Sequence, residues 1–169
     1  LHDARRAARV DASGAFVAPA EQDRALWDGG RIGEGRTALE RAMVLRRPGP
    51  YQIKAAIAAL HTEQPPDWAE IAELYAALAR FEPTPVVELN RAVAVGFASG
   101  PRAGLAVLAP LLGDAALARY VPLHAAHADL LLRAGSPAAA SEAYARAIAL
   151  SANDVQRAEL ERRRARIAT

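Results

Sequence analysis

DWAEIAELYAALAR, residues 67–80, carries Ile71, Tyr75 and Leu78 at spacings of four and three. The same offsets return at Gly104, Leu108 and Leu111, and again at Ala140, Tyr144 and Ala147. The central residues Tyr75, Leu108 and Tyr144 are thereby 33 and 36 residues apart. Spacings of three and four place each trio on one face of a helix. Recurrence at about 34 residues marks a unit of two helices that completes its core only when a neighbour stacks on it.

Composition agrees with a helical chain. Of 169 residues, 52% are hydrophobic but only 5% aromatic, and alanine makes up about a quarter. Alanine loses no side-chain entropy in a helix and lets helix backbones approach closely. The expected class is all-α. The net charge is +2, and Lys54 is the lone lysine among 21 basic residues. This small excess argues against a dedicated nucleic-acid-binding domain. There is no cysteine, which excludes disulfides, thiolate metal sites and cysteine nucleophiles. No apolar run approaches the roughly 20 residues that span a bilayer. LHDARRAAR (1–9) reads as the end of a helix already under way, so the expectation is a piece cut from a longer protein on its N-terminal side.

Turn chemistry divides the chain. RVDASGAFVAP (9–19) carries Gly14 between short apolar pairs and reads as a turn or small hairpin-like connector. EQDRALWD (21–28) is a short helical stretch interrupted by Gly29-Gly30. A helix over about 31–46 follows, stopped by Arg46-Arg47-Pro48-Gly49-Pro50. Later helices start at Pro50, Asp67, Pro85, Pro101, about Val121 and Pro137. Proline at the first helical position sacrifices no hydrogen bond, and Thr84 and Ser136 stand where side-chain caps belong. Short turns make antiparallel pairs of 50–63 with 67–81, 85–98 with 101–112, and 120–134 with 136–150. A last helix, about 153–168, covers the final pair. The expected organisation is a connector (1–48), three helical hairpins (49–150) and a capping helix (151–169).

Residues 50–150 resemble tetratricopeptide (TPR) hairpins, so the implied fold is a TPR-like α-hairpin solenoid. A resemblance over nearly the whole chain is carried by HDARRAARVDASG (2–14), EQDRALWD (21–28), RRPGPYQIKAAIAALH (46–61), DWAEIAELYAALAR (67–80) and PVVELNRAVAV (85–95). These segments look like the C-terminal extension of a group of extracytoplasmic-function sigma factors of bacterial RNA polymerase. The departure is Gly29-Gly30-Arg31, where that pattern implies a continuous helix. The resemblance implies a cytoplasmic, non-enzymatic regulatory domain without cofactor. Its implied partners are the sigma promoter-binding regions in cis, the polymerase core and a further regulatory protein. DNA would be met only through regions absent from this sequence. The alternative is a free-standing TPR-like adaptor that binds a peptide or a protein helix.

Candidate sites follow from the hairpin frame, in which first helices line the concave surface. Asn90 and Arg91 sit among Val86, Val87, Val93 and Val95. Asn90 either links to a neighbouring helix or faces the groove, where it could meet a partner's main chain. Asp129 and Arg133 are groove candidates on the equivalent helix, or else an i, i+4 surface ion pair. His124 and His127 are three apart, unlike the i, i+4 pair of zinc helices, and read as core-edge histidines rather than a metal site. RAELERRRARI (157–167) reads as a capping helix with a solvated face, since Leu160 and Ile167 share a stripe. Trp68 reads as a packing anchor, and Trp27 as the residue that nails the connector down. A glycine-rich phosphate loop and a nucleophile-elbow serine are missing, and Glu70 and Glu73 serve a helix start.

Overall fold

The computed structural model describes residues 1, 3–12, 14, 16–17, 21–45 and 49–167. Among them the chain is all-helical, without a strand. Eight α-helices run in order: α1 Gly29–Val44, α2 Pro50–Leu60, α3 Trp68–Phe81, α4 Pro85–Ala98, α5 Pro101–Leu108, α6 Val121–Arg133, α7 Pro137–Leu150 and α8 Asp154–Ala165. Short 3-10 turns occupy Asp3–Ala8, Arg24–Leu26, Ala109–Gly113 and Ala115–Leu117.

Most boundaries have a local cause. The Asp67 carboxylate accepts from the Glu70 amide at 2.9 Å, and the Thr84 hydroxyl accepts from Val87 N–H at 3.3 Å. Both satisfy amides that have no partner inside their helix. Ser136, expected to do the same for α7, makes no side-chain capping bond. The expected break at Gly29-Gly30 is instead the first turn of α1, because Asp28 caps it through the Arg31 amide at 3.0 Å. Ends of α-helices are equally specific. Gly135, at φ +79°, donates to Leu132 O at 3.0 Å while Ser136 N–H donates to Leu131 O at 2.9 Å. This left-handed glycine closure ends α6 and starts the turn to α7. The expected second helix at 101–112 is α-helical only to Leu108 and continues as a 3-10 turn. Pro110, which lacks an N–H, cannot continue the α ladder there. The helix stop placed at Arg46-Arg47-Pro48 and the last helix's end at residue 168 lie outside the described residues.

The core is a series of three clusters. Ile53, Ile57, Leu60, Ile71, Leu78, Val87 and Ala94 join α2, α3 and α4. Leu89, Ala92, Leu108, Leu117, Leu123 and Leu130 join α4, α5 and α6. Ala128, Tyr144, Ala147 and Leu160 join α6, α7 and α8. Thus α4 gives Val87 and Ala94 to one cluster and Leu89 and Ala92 to the next. In the same way α6 gives Leu123 and Leu130 to the second cluster and Ala128 to the third. Each of these helices buries two faces, which welds consecutive pairs into one array.

Small residues set the spacing inside the pairs. Gly104 is backed so closely by α4 that an added Cβ would lie 2.7 Å from Gly96 Cα and 2.8 Å from Ala92 O. In the last pair, Ala128, Ala140 and Ala147 have no exposure at all. The positions equivalent across the array are graded. Leu108 and Tyr144 are fully buried, whereas Tyr75 is half-buried against the first cluster.

The connector folds back on the array. Arg24 donates to Thr62 O at 3.1 Å and Glu63 O at 3.0 Å, just beyond the C-terminal end of α2. Its guanidinium lies 4.4 Å over the Trp27 ring, with Arg5 at 5.3 Å. Asp28 N–H donates to Ala4 O at 2.9 Å, binding the two 3-10 turns together. Trp27 itself packs within the connector, under Arg5 and Arg24, and it is Arg24 that ties the connector to the end of α2. At the other end of the chain, Arg166 pairs with Glu21 at 3.2 Å.

Candidate functional site

A groove of about 950 Å³ runs along α4 and α6 and is completed by α8 and the connector. The wall from α4 carries Leu89, Asn90, Val93 and Phe97, four residues spaced to share one helical face. The wall from α6 carries Pro122, Ala125, Ala126, Asp129, Leu130, Leu132 and Arg133. From α8 come Val155, Gln156, Glu159, Leu160 and Arg163, and from the connector Val10, Gly14 and Phe16. The surface is mostly apolar with polar groups at particular places, which is the usual character of a ligand or peptide site.

Three of the four sequence candidates line this groove: Asn90, Asp129 and Arg133. Asn90 is exposed, so it is no buried link between helices. Arg91 is not among the lining residues. It turns along α4 to Glu88, with Nη2 2.9 Å from the carboxylate. Asp129 and Arg133 do not pair with each other as an i, i+4 bridge. Arg133 instead lays its guanidinium 4.0 Å over the Phe97 ring, and Phe97 stacks on Trp68 at 4.3 Å with planes 16° apart. His61 meets Trp68 edge-on at 5.4 Å. The anchor role of Trp68 is thus extended into a ladder that joins α3, α4 and α6.

Asp129 belongs to a polar network at the α8 side. The Tyr144 hydroxyl donates to it from α7, and Arg163 reaches it from α8 at 3.2 Å. Arg163 also donates to Glu159 at 2.8 Å, and Arg162 binds the other Glu159 oxygen. Burial, then the Asp129 acceptor, pushes the Tyr144 phenol far above its ordinary value. Burial opposes ionisation of Glu159, yet hydrogen bonds from Arg163 and Arg162 outweigh it and hold the carboxyl below its usual range. Burial would also lower Arg163, but Glu159 and Asp129 more than compensate and raise it. Tyr144, Asp129, Arg163 and Glu159 thereby tie α7, α6 and α8 together through one hydrogen-bonded network.

The histidines lie elsewhere. His124 is buried, its Nε2 at 3.0 Å from Ala118 O. Burial and the neighbouring His124 lower the pKa of His127. Among the described residues there is no group of three metal-ligating side chains, and no helix is long and apolar enough to cross a membrane.

Phe97, Glu159, Arg163 and the connector's Phe16 were not legible as groove residues. Spacing alone offers a weak signal for Phe97, which follows Asn90 by seven residues on the same face. For Phe16 there is no such signal, since its partners are more than seventy residues away.

Residues 1–43 match the family of unknown function DUF6596. The chain is 49% identical over 157 residues to an uncharacterized protein of Rhizobium meliloti (strain 1021). That alignment covers 90% of this chain and 37% of the relative, so the chain spans little more than a third of the relative's length. No solved structure matches.

Proposed function

We propose that this chain is a regulatory C-terminal domain of a bacterial RNA polymerase sigma factor, built as a TPR-like α-hairpin array that works through protein–protein contacts. The observation that carries the binding role is the groove itself. It is lined by the first helices of two successive pairs, α4 and α6, and displays Asn90 and Arg133 above an apolar floor. Support for the array comes from Ala92 with Gly104 and Ala128 with Ala140, small pairs that recur 12 residues apart where two helices touch. Support for transcription comes from the sequence segments 2–14, 21–28, 46–61, 67–80 and 85–95.

On this reading the array holds the sigma promoter-binding regions, through the connector, in a competent or a closed arrangement. A regulatory protein in the groove shifts that balance only by its differential affinity for the two. The domain acts in the cytoplasm, without catalysis, cofactor or DNA contact of its own. The test is deletion of residues 49–169 from the full-length protein, followed by promoter-dependent transcription with purified polymerase core. A changed rate is expected; an unchanged one rejects the regulatory role and leaves the adaptor reading.

A further inference from the structure

The charged groups of the groove are unequally served. Asp129 accepts from the Tyr144 hydroxyl on one oxygen and from Arg163 on the other, at 3.2 Å. Glu159 accepts from Arg163 on one oxygen at 2.8 Å and from Arg162 on the other at 3.1 Å. Every oxygen of the two carboxylates therefore already has a donor. A cation entering the groove would have to compete with Arg162 and Arg163 for them.

Arg133 is the opposite case. Among the described residues it makes no ion pair and no hydrogen bond, and its guanidinium rests only on the Phe97 ring at 4.0 Å. Asp129, one turn earlier on α6, is taken by Tyr144 and Arg163. Arg133, Arg162 and Arg163 thus stand against two carboxylates, and the surplus positive charge sits on Arg133. On the α4 wall, Asn90 is exposed, and its amide makes no hydrogen bond among the described residues.

This inventory selects the chemistry of an occupant. A wholly apolar segment laid on Val93, Phe97 and Leu132 would strip water from Arg133 and return no partner, which is costly for a charge. A cationic segment would add repulsion to that cost. A carboxylate flanked by apolar side chains meets both demands, since it gives Arg133 a charge-assisted hydrogen bond while its neighbours cover the walls.

We infer that the α4–α6 groove takes an acidic, otherwise apolar peptide segment, whose carboxylate accepts from Arg133 and whose main chain meets the Asn90 amide. Phe97, which carries Arg133, follows Asn90 by seven residues, about 10 Å along α4. That distance is about three residues of extended chain, which sets the separation of the acid from the main-chain group that Asn90 binds. The inference rests on the groove being a partner site, and it adds the chemistry of the partner.

The test selects a random linear-peptide display library on the 169-residue chain. Peptides recovered should be enriched in Asp and Glu, with apolar residues beside the acid. The strongest, synthesised with a fluorescent label, should bind Arg133→Gln about tenfold more weakly than the parent chain. Replacing the peptide's acid by its amide should cost a similar factor. Arg102→Gln, the same change of charge at an exposed position outside the groove, should leave binding unchanged. Arg133→Lys, which keeps the charge, should keep most of the affinity and so separates charge from folding. An acidic peptide that binds Arg133→Gln as tightly as the parent overturns the inference. Basic or purely apolar peptides overturn it while sparing the groove as a partner site, and recovery of no peptide overturns both. None of these readouts involves transcription, so the deletion experiment stands or falls separately.

Discussion

The guanidinium of Arg133 lies over Phe97 at 4.0 Å, and the same ring stacks on Trp68 at 4.3 Å. Three helices from three successive pairs meet in this ladder, at the rim of the groove. Arg133 is thereby held by an aromatic face, not by a carboxylate, and it lines the groove.

Phe97→Ala should lower stability by about 1–3 kcal/mol, the sum expected for a half-exposed aromatic stack and a cation–π contact. Urea unfolding measures it. The emission of Trp68 should shift to the red in the folded variant, because the indole loses its stacked cover. An unchanged spectrum would contradict the ladder.

Tyr144→Phe removes a hydroxyl donor from Asp129 while keeping the ring. A hydrogen bond to a charged group contributes about 1.5–3 kcal/mol, and Arg163 still serves Asp129, so the lower end is expected. In a double-mutant cycle with Asp129→Asn, the two changes should be clearly non-additive. Additivity would mean that the bond does not stabilise the junction of α6 and α7.

Gly104→Ala should be among the more damaging changes of one methyl group. The new Cβ would meet Gly96 Cα and Ala92 O, which are backbone atoms that cannot swing aside. Overpacking of this kind costs about 1–3 kcal/mol. Gly33→Ala is the control: it lies inside α1 with open space around it, and should stabilise by about 0.5–1 kcal/mol. Thermal unfolding of the two variants should move in opposite directions.

The pH dependence should carry the signature of Glu159. Its carboxyl is more acidic in the folded chain than in the unfolded one. The unfolded state therefore takes up the proton first as pH falls, and the stabilisation is present above the ordinary glutamate range. It is lost as pH drops below about 4.3 toward the depressed folded value. Glu159→Gln should flatten this acid limb of the stability curve. A limb of unchanged steepness would show that Glu159 does not contribute to it.

Helix capping gives a contrast between two residues that look equivalent as letters. Asp67→Ala should cost about 1 kcal/mol, since its side chain holds the Glu70 amide. Ser136→Ala should be close to neutral, because Ser136 makes no such bond. Chemical denaturation of both variants checks the difference.

Much of the helical layout was readable from local chemistry. Pro50, Pro85, Pro101 and Pro137 open their helices as expected, because a residue without an N–H has few other places in a helical chain. Glycine misled at Gly29-Gly30: its low propensity suggested a break, but Asp28 supplies the cap that offsets this. Ser136 misled in the other direction, as its hydroxyl does not reach the amides it could have capped. In the groove, Asn90, Asp129 and Arg133 could be placed on its two walls from helical periodicity. Arg163 could not, since a run of arginines reads as a solvated face until the fold brings Asp129 and Glu159 beside it. Arg91 shows the limit from the opposite side: one residue along the helix from Asn90, it is rotated by about 100° and finds Glu88 instead.

The connector is fastened at both extremes of the array, by Arg24 to the carbonyls after α2 and by Arg166 to Glu21 beyond α8. Shortening the chain by its last helix would therefore loosen residues near its beginning, some 145 positions away in sequence.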